Sequence, residues 1–277
     1  MRKSLILVLL LSGCAIHPIT GRNQIQALPA VQAAYADLTF TLSTEAWTIA
    51  APLSCDPDCG GAQRAADLSR RVARLGGELE VLAHQMSPEL KERIGSFRIE
   101  VSEVPGVATA SSAGGRISIG AELAALEPTD AVLAFLIARE MGHVIARHAE
   151  ENSGASMLFT VLGFLLPGFH ALARFAATTV GSGVLRSSWA AEQQREGDEI
   201  AVALLARAGL APPEVALALA HGLDHPRLAG NEWSARYLES VRHVGRIATA
   251  PPPAGGVYVA SDELRVTTAT APPVTGK

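Results

Sequence analysis

TDAVLAFLIAREMGHVIARHAEEN, residues Thr129 to Asn152, is the stretch on which the reading of this chain turns. Its apolar residues Val132, Leu133, Leu136, Ile137, Met141, Val144 and Ile145 recur at helical spacing. Pro128 and Thr129 supply a start signal, and Asp130 is favourable in a first turn. The spacing predicts one helix across the whole stretch. Inside it lies Arg139-Glu140-Met141-Gly142-His143, which is H-E-x-x-H with arginine in place of the first histidine. In the intact motif two histidines, four apart, share a zinc ion on one helix face. The glutamate between them acts as general base on the metal-bound water. Here the base and one ligand remain.

Working outward, the chain of 277 residues is long enough for one large domain or two small ones. Being 48% hydrophobic and only 5% aromatic, it suits a mostly helical globular protein. A formal charge of -4, without a Lys/Arg-rich run, argues against nucleic acid as a partner.

Residues 1–14 read as a targeting segment, with Arg2 and Lys3 before the apolar run Leu5 to Leu11. That run is too short to span a bilayer. Leu11-Ser12-Gly13-Cys14 resembles a bacterial lipobox, which implies cleavage before Cys14 and acylation of it. Ala15, not aspartate, follows, and by the same resemblance this implies transfer to the outer membrane. The expected location is the periplasm, with the protein anchored to the membrane by lipid. Cys55 and Cys59, in CDPDC, are expected to form a small-loop disulfide there. Without nearby histidines they make a poor zinc site.

A tether, residues 15–27, precedes a domain at 28–250 and a Pro-rich tail at 251–277, for which disorder is expected. Helices are predicted at Leu28 to Ala51, interrupted by Thr39 to Thr44, and at Ala62 to Gln85, with Gly76-Gly77 as a break. A short one follows Ser87-Pro88. Phe97 to Val101 and Arg116 to Ile119 read as strands, and Val104 to Ala113 as a flexible connection. Two strands before a long helix imply a small sheet over that helix, whose edge could pair with an extended peptide. The bland alternative is a capped edge. Met157 to Val184, cut by Pro167-Gly168, reads as a buried hairpin or a segment on the membrane surface, with a full span as the alternative. Further helices are predicted at Trp189 to Ala208, Glu214 to His221 and Glu232 to Ile247.

Several pieces together resemble the HtpX- and BepA-like zinc metallopeptidases, peptidase family M48. They are Pro18-x-Thr20-Gly21-Arg22-x-Gln24, Gly114-Gly115-Arg116-Ile117, Glu140-x-x-His143 with Arg147-His148, Gln194-x-x-x-Asp198, and Asp224-His225-Pro226. The resemblance spans roughly Cys14 to Ile247. It implies an α+β, mostly helical, gluzincin-like metallopeptidase fold with a small sheet packed on the active-site helix. It also implies zinc as cofactor and metalloendopeptidase activity in envelope protein quality control.

Carried over residue by residue, the family's first histidine is Arg139, its base Glu140 and its second histidine His143. Its glutamate ligand is Gln194, and its outer-shell aspartate is Asp198. Arginine does not lose its proton in a protein and so cannot ligate a cation. An amide oxygen is a poor zinc ligand beside a carboxylate. The two changes balance electrostatically: zinc with one histidine and one glutamate carries one net positive charge, as does arginine with glutamine. Arg139 is therefore expected in the metal position, paired with Glu140 or Asp198 and bonded to the Gln194 carbonyl. The expected function is a non-catalytic relative that binds envelope or outer-membrane proteins or peptides, with zinc absent or weakly held. The competing reading is an active zinc metalloendopeptidase with atypical ligands, drawn from His143, His225 and one of Glu196 or Asp198. A third is a structural lipoprotein without a client. His148, five residues past His143, is expected off its face, capping the helix end.

Overall fold

The computed structural model describes residues 13–16, 21–26, 29–50, 60–102, 109–153, 181–222 and 232–250. The basic and apolar parts of the targeting segment, Cys55 and Cys59, the apolar stretch up to residue 180, His225 and the tail lie outside the described residues. Among the described residues no single helix is long and apolar enough to cross a membrane.

The architecture is α+β and mostly helical. Strands β1 (Gly13–Ile16) and β2 (Asn23–Gln26) pair antiparallel, so part of the expected tether is a hairpin. Helix α1 (Pro29–Ala50) runs unbroken through its threonines. Threonine costs only a few tenths of a kcal/mol in a helix, too little to interrupt one by itself. Helix α2 (Gly60–Met86) likewise continues through the glycine pair, and a single turn α3 (Leu90–Arg93) follows.

Strands β3 (Arg98–Ser102), β4 (Thr109–Ser111) and β5 (Arg116–Gly120) form a sheet in the order β3-β5-β4. β3 is parallel to β5, and β4 is antiparallel to it. The stretch expected to be a flexible connection thus supplies a third strand. Threonine and serine flank Ala110, a period of two too short to stand out against small residues on both sides. Ser112 N–H donates to the Arg116 carbonyl, and Ala110 is opposite Ser118. Hydrogen-bonded pairs alternate along an antiparallel ladder, so Ala110 bonds to β5. The main-chain groups of Thr109 and Ser111 consequently point to the outer edge, which no described strand covers.

A 3-10 segment (Ala121–Leu126) leads to helix α4 (Asp130–Ile145), the centre of the fold. Thr129 caps it by accepting from Val132 N–H, and Asp130 is clamped by Arg71 at 2.7 Å and Arg74 at 2.5 Å. Leu133, Phe135, Leu136, Ile137 and Met141 are wholly buried. The helix is thus apolar nearly all round, as befits one enclosed by others. Helices α5 (Gly181–Arg207) and α6 (Pro212–His221) surround it with α2 and the sheet, and α7 (Glu232–Thr249) packs on α5 and α6 and reaches it through Ser240. A Cβ on Gly142 would lie 2.8 Å from the Gly197 carbonyl, so α4 and α5 meet backbone to backbone beside the motif.

The single helix predicted over the opening stretch is in fact broken. α4 ends at Ile145, and Arg147 takes a left-handed conformation at φ 60 before residues 148–153 turn helical again. This conformation costs a residue with a Cβ about 1–2 kcal/mol. Arg93 offsets the cost by donating to the Val144 carbonyl at the helix end, and Arg147 pairs with Glu150 at 3.2 Å.

The two glycines of α2 make opposite predictions. A Cβ on Gly76 would lie 2.5 Å from Ile99 Cδ1 on β3, whereas Gly77 has open space. Gly76→Ala should destabilise by about 1–3 kcal/mol through overpacking. Gly77→Ala should stabilise by up to about 1 kcal/mol through helix propensity. Urea denaturation of the two variants checks both signs.

Candidate functional site

Arg139 and Glu140 are adjacent on α4 and almost wholly enclosed, with exposures of 3% and 4%. Thr109 and Ser111 are two apart on β4 and so share one face of the sheet. That face is turned to Glu140: the Thr109 hydroxyl donates to Oε1 at 2.6 Å and the Ser111 hydroxyl to Oε2 at 2.9 Å. Arg139 Nη2 donates to Thr109 Oγ1 at 3.0 Å and lies 3.5 Å from Glu140 Oε1. Its Nη1 reaches Ser240 Oγ on α7 at 3.5 Å. Burial pushes the Glu140 carboxyl up, but His143, Arg139 and the two hydroxyls outweigh it and hold it below the usual carboxylate range. Burial in turn pushes the His143 ring down to about 3.

The expected pairing of Arg139 with Glu140 is therefore present, and the expected bond to Gln194 is not. Gln194 Oε1 is buried without a hydrogen-bond partner, as is Arg139 Nε. Asp198 is reached through Ser240, whose hydroxyl bonds to it, while Arg139 acts on it only as a nearby charge. Its other oxygen has no partner, and burial pushes the group up to about 6.

His148 is not off the face of His143. The two Nδ1 atoms are 2.6 Å apart, and His148 Nε2 lies 2.9 Å from Glu196 Oε2. The left-handed residue Arg147 resets the helical phase between them, so counting along an unbroken helix misplaces His148. Glu196 is ion-paired with Arg22, which also forks onto Glu151 at 3.0 and 2.6 Å. This carboxylate can only accept, so His148 carries its proton on Nε2. Burial lowers the pKa of His148, leaving the ring neutral, so its Nδ1 accepts from His143 Nδ1–H. His143 Nε2 then keeps a lone pair, close to the α5 backbone at Gly197.

Local sequence patterns missed Thr109, Ser111, Ser240 and the role of His148. They also missed Arg22, which comes from the expected tether and lies 174 residues from Glu196. A fuller reading of Thr109-Ala110-Ser111 as an alternating strand could have found the first two. Arg22 and His148 stand in the motifs that carry the family resemblance, though without a role there, and nothing local points to Ser240.

A cavity of about 280 Å³ opens over these groups, lined by β4, the Arg139 to His148 segment, Gln193, Gln194, Trp233 and Arg236. A zinc ion needs three protein ligands with lone pairs. Among the described residues no group of three His, Cys, Asp or Glu side chains is placed to hold a metal ion. At the two replaced ligand positions stand a guanidinium, itself a cation, and an amide. His143 stands at the remaining family ligand position. The described side chains do not fit the metal.

A mostly helical fold with a small mixed sheet on the helix bearing E-x-x-H defines a metallopeptidase scaffold. The chain belongs to peptidase family M48, whose family model matches residues 70–254. That family is generally zinc-dependent. Comparison with curated proteins and with solved structures finds no match.

Two predictions follow from the charges. Arg139→Ala leaves Glu140 buried with two hydroxyls and no cation, so thermal or urea denaturation should show a loss of about 3–5 kcal/mol. For Asp198, the folded state keeps a proton that the unfolded chain releases above about pH 4. Its burial therefore costs stability as pH rises through about 6. Asp198→Asn should remove that part of the pH dependence, stabilising the fold at pH 8 by up to about 3 kcal/mol and far less at pH 4. Denaturation at both pH values reads the difference.

Proposed function

We propose that this protein is a non-catalytic member of peptidase family M48 that binds extended polypeptide. The observation that carries this is the state of Glu140. Both of its oxygens take hydroxyl donors from β4, and Arg139 stands beside it. A general base must have an oxygen within reach of the water it activates. Here the residue that would do so is a member of a buried ion pair. The donor set supports the same reading, because Arg139 cannot ligate zinc and Gln194 lacks the charge of a carboxylate.

What the scaffold retains is its means of holding a chain. The outward main-chain groups of Thr109 and Ser111 form a strand edge beside the cavity that no described strand covers. An added strand would satisfy them, as in other cases of β-augmentation. The proposed clients are envelope or outer-membrane proteins, in keeping with the lipobox-like Leu11 to Cys14 and with Ala15 after it. On this reading Cys14 carries the lipid, and the protein acts from the periplasmic face of the outer membrane.

Metal content of the purified full-length chain tests the proposal. Zinc should be far below one per chain in the parent and should rise in the Arg139→His/Gln194→Glu double variant, which restores both family ligands. Near-stoichiometric zinc in the parent would overturn it and direct attention to His225. In parallel, an end-blocked extended peptide should bind the parent by fluorescence anisotropy and remain uncleaved.

A further inference from the structure

The two substitutions leave more than a closed metal site. With Trp233 they bring three side chains that carry buried, unpaired polar atoms to the lining of one cavity. Among the described residues, Arg139 Nε–H is a buried donor without an acceptor, and so is Trp233 Nε1–H. Gln194 Oε1 is a buried acceptor without a donor. All three side chains line the same cavity of about 280 Å³. Arg139 is 3% exposed and Trp233 8%, so neither is a surface group left to bulk water. Each such atom left unmatched costs about 1–3 kcal/mol. Native structures leave few of them without a reason.

The chemistry of a matching ligand is specific. It must accept from a guanidinium N–H and an indole N–H, and it must donate to an amide oxygen. A peptide group has a carbonyl oxygen with two lone pairs and one N–H. A carboxylate or phosphate would satisfy the donors and leave Gln194 unmatched. A metal cation would satisfy Gln194 and be repelled by Arg139.

We infer that Arg139, Trp233 and Gln194 form a clamp for one main-chain peptide group of the bound polypeptide, with Arg139 and Trp233 donating to its carbonyl oxygen and Gln194 accepting from its N–H. This rests on the peptide-binding reading above and deepens it. The clamp is a specificity device that recognises backbone and is indifferent to side chains. It takes one peptide group out of the strand laid along β4 and holds it beside Glu140, whose oxygens are already occupied by Thr109 and Ser111. No bond is made or broken.

An ester scan of the peptide tests this. The probe is an end-blocked, fluorescein-labelled peptide of alternating threonine and alanine, about ten residues long, enough to cover a strand edge. In its companion series one amide at a time is replaced by an ester, which keeps the carbonyl and removes the N–H. Binding to the full-length protein is followed by anisotropy in the presence of a chelator. In the parent, besides the positions whose N–H groups bond the β4 edge, one further ester position should weaken binding about tenfold, the worth of one good hydrogen bond, about 1.4 kcal/mol. Gln194→Met, close in shape but without the acceptor, should bind the all-amide peptide about tenfold more weakly and lose the discrimination at that position. Gln194→Glu, which still accepts, should keep the discrimination. Unfolding midpoints of the two variants near that of the parent confirm that the fold is intact. If the peptide binds and Gln194→Met leaves every ester effect unchanged, the clamp is wrong while the strand-edge reading stands. If the peptide does not bind the parent, both are wrong.

Discussion

A carboxylate as enclosed as Glu140 is tolerated only if its charge is answered inside the protein. Taking such a group out of water costs several kcal/mol even after the surroundings relax. In this chain the answer comes from three sides. Arg139 lies next along α4, and Thr109 and Ser111 come from β4. Arg139 is itself a buried charge and needs its own partners, which draws in Thr109 again and Ser240 from α7. The sheet, the central helix and the last helix are thus tied together through one ion pair and the hydroxyls around it. An apolar core could have packed as densely. It would not have fixed the face that β4 presents to α4, because the polar groups discriminate between registers that hydrophobic burial treats alike.

A second polar chain runs alongside. His143, His148, Glu196, Arg22 and Glu151 follow one another by direct contact, from the motif to the segment after the lipobox-like residues. Its direction is set by the charges at its far end. Arg22 keeps Glu196 as an acceptor, Glu196 sets the tautomer of His148, and His148 sets that of His143. A guanidinium holding two carboxylates from different helices also brings Arg22, just before β2, onto the body of the domain. The same arrangement leaves the His143 Nε2 lone pair close to the α5 backbone at Gly197.

The polar groups fall into two sets with different consequences. Those on Glu140 are satisfied within the chain by Thr109, Ser111 and Arg139. Those on Arg139 Nε, Trp233 Nε1 and Gln194 Oε1 are buried and unmatched around a cavity beside an open strand edge. A site that had only decayed would be expected to fill with apolar side chains or to collapse, since buried unpaired polar atoms are costly. Their persistence beside a strand edge is what directs the functional reading toward binding.

Much of this was legible without coordinates. The period of Val132 to Ile145 predicts the central helix, and the Gly114-Gly115 turn predicts the start of β5, because both are local patterns that neighbouring residues satisfy by themselves. That Arg139 cannot ligate zinc is a property of the guanidinium and holds in any fold. Family membership follows from motifs whose order survives even when two ligands do not. Only the tertiary structure decided what those residues do instead. Gln194 was expected to bond Arg139, and packing gave that place to Ser240 and Thr109. His148 was misplaced because helical phase carries across a sequence only while the helix is unbroken, and Arg147 breaks it at φ 60. Thr109 and Arg22 became part of the site through partners 31 and 174 residues away. Contacts at that separation are chosen by the packing of whole elements, on which local periodicity carries no information.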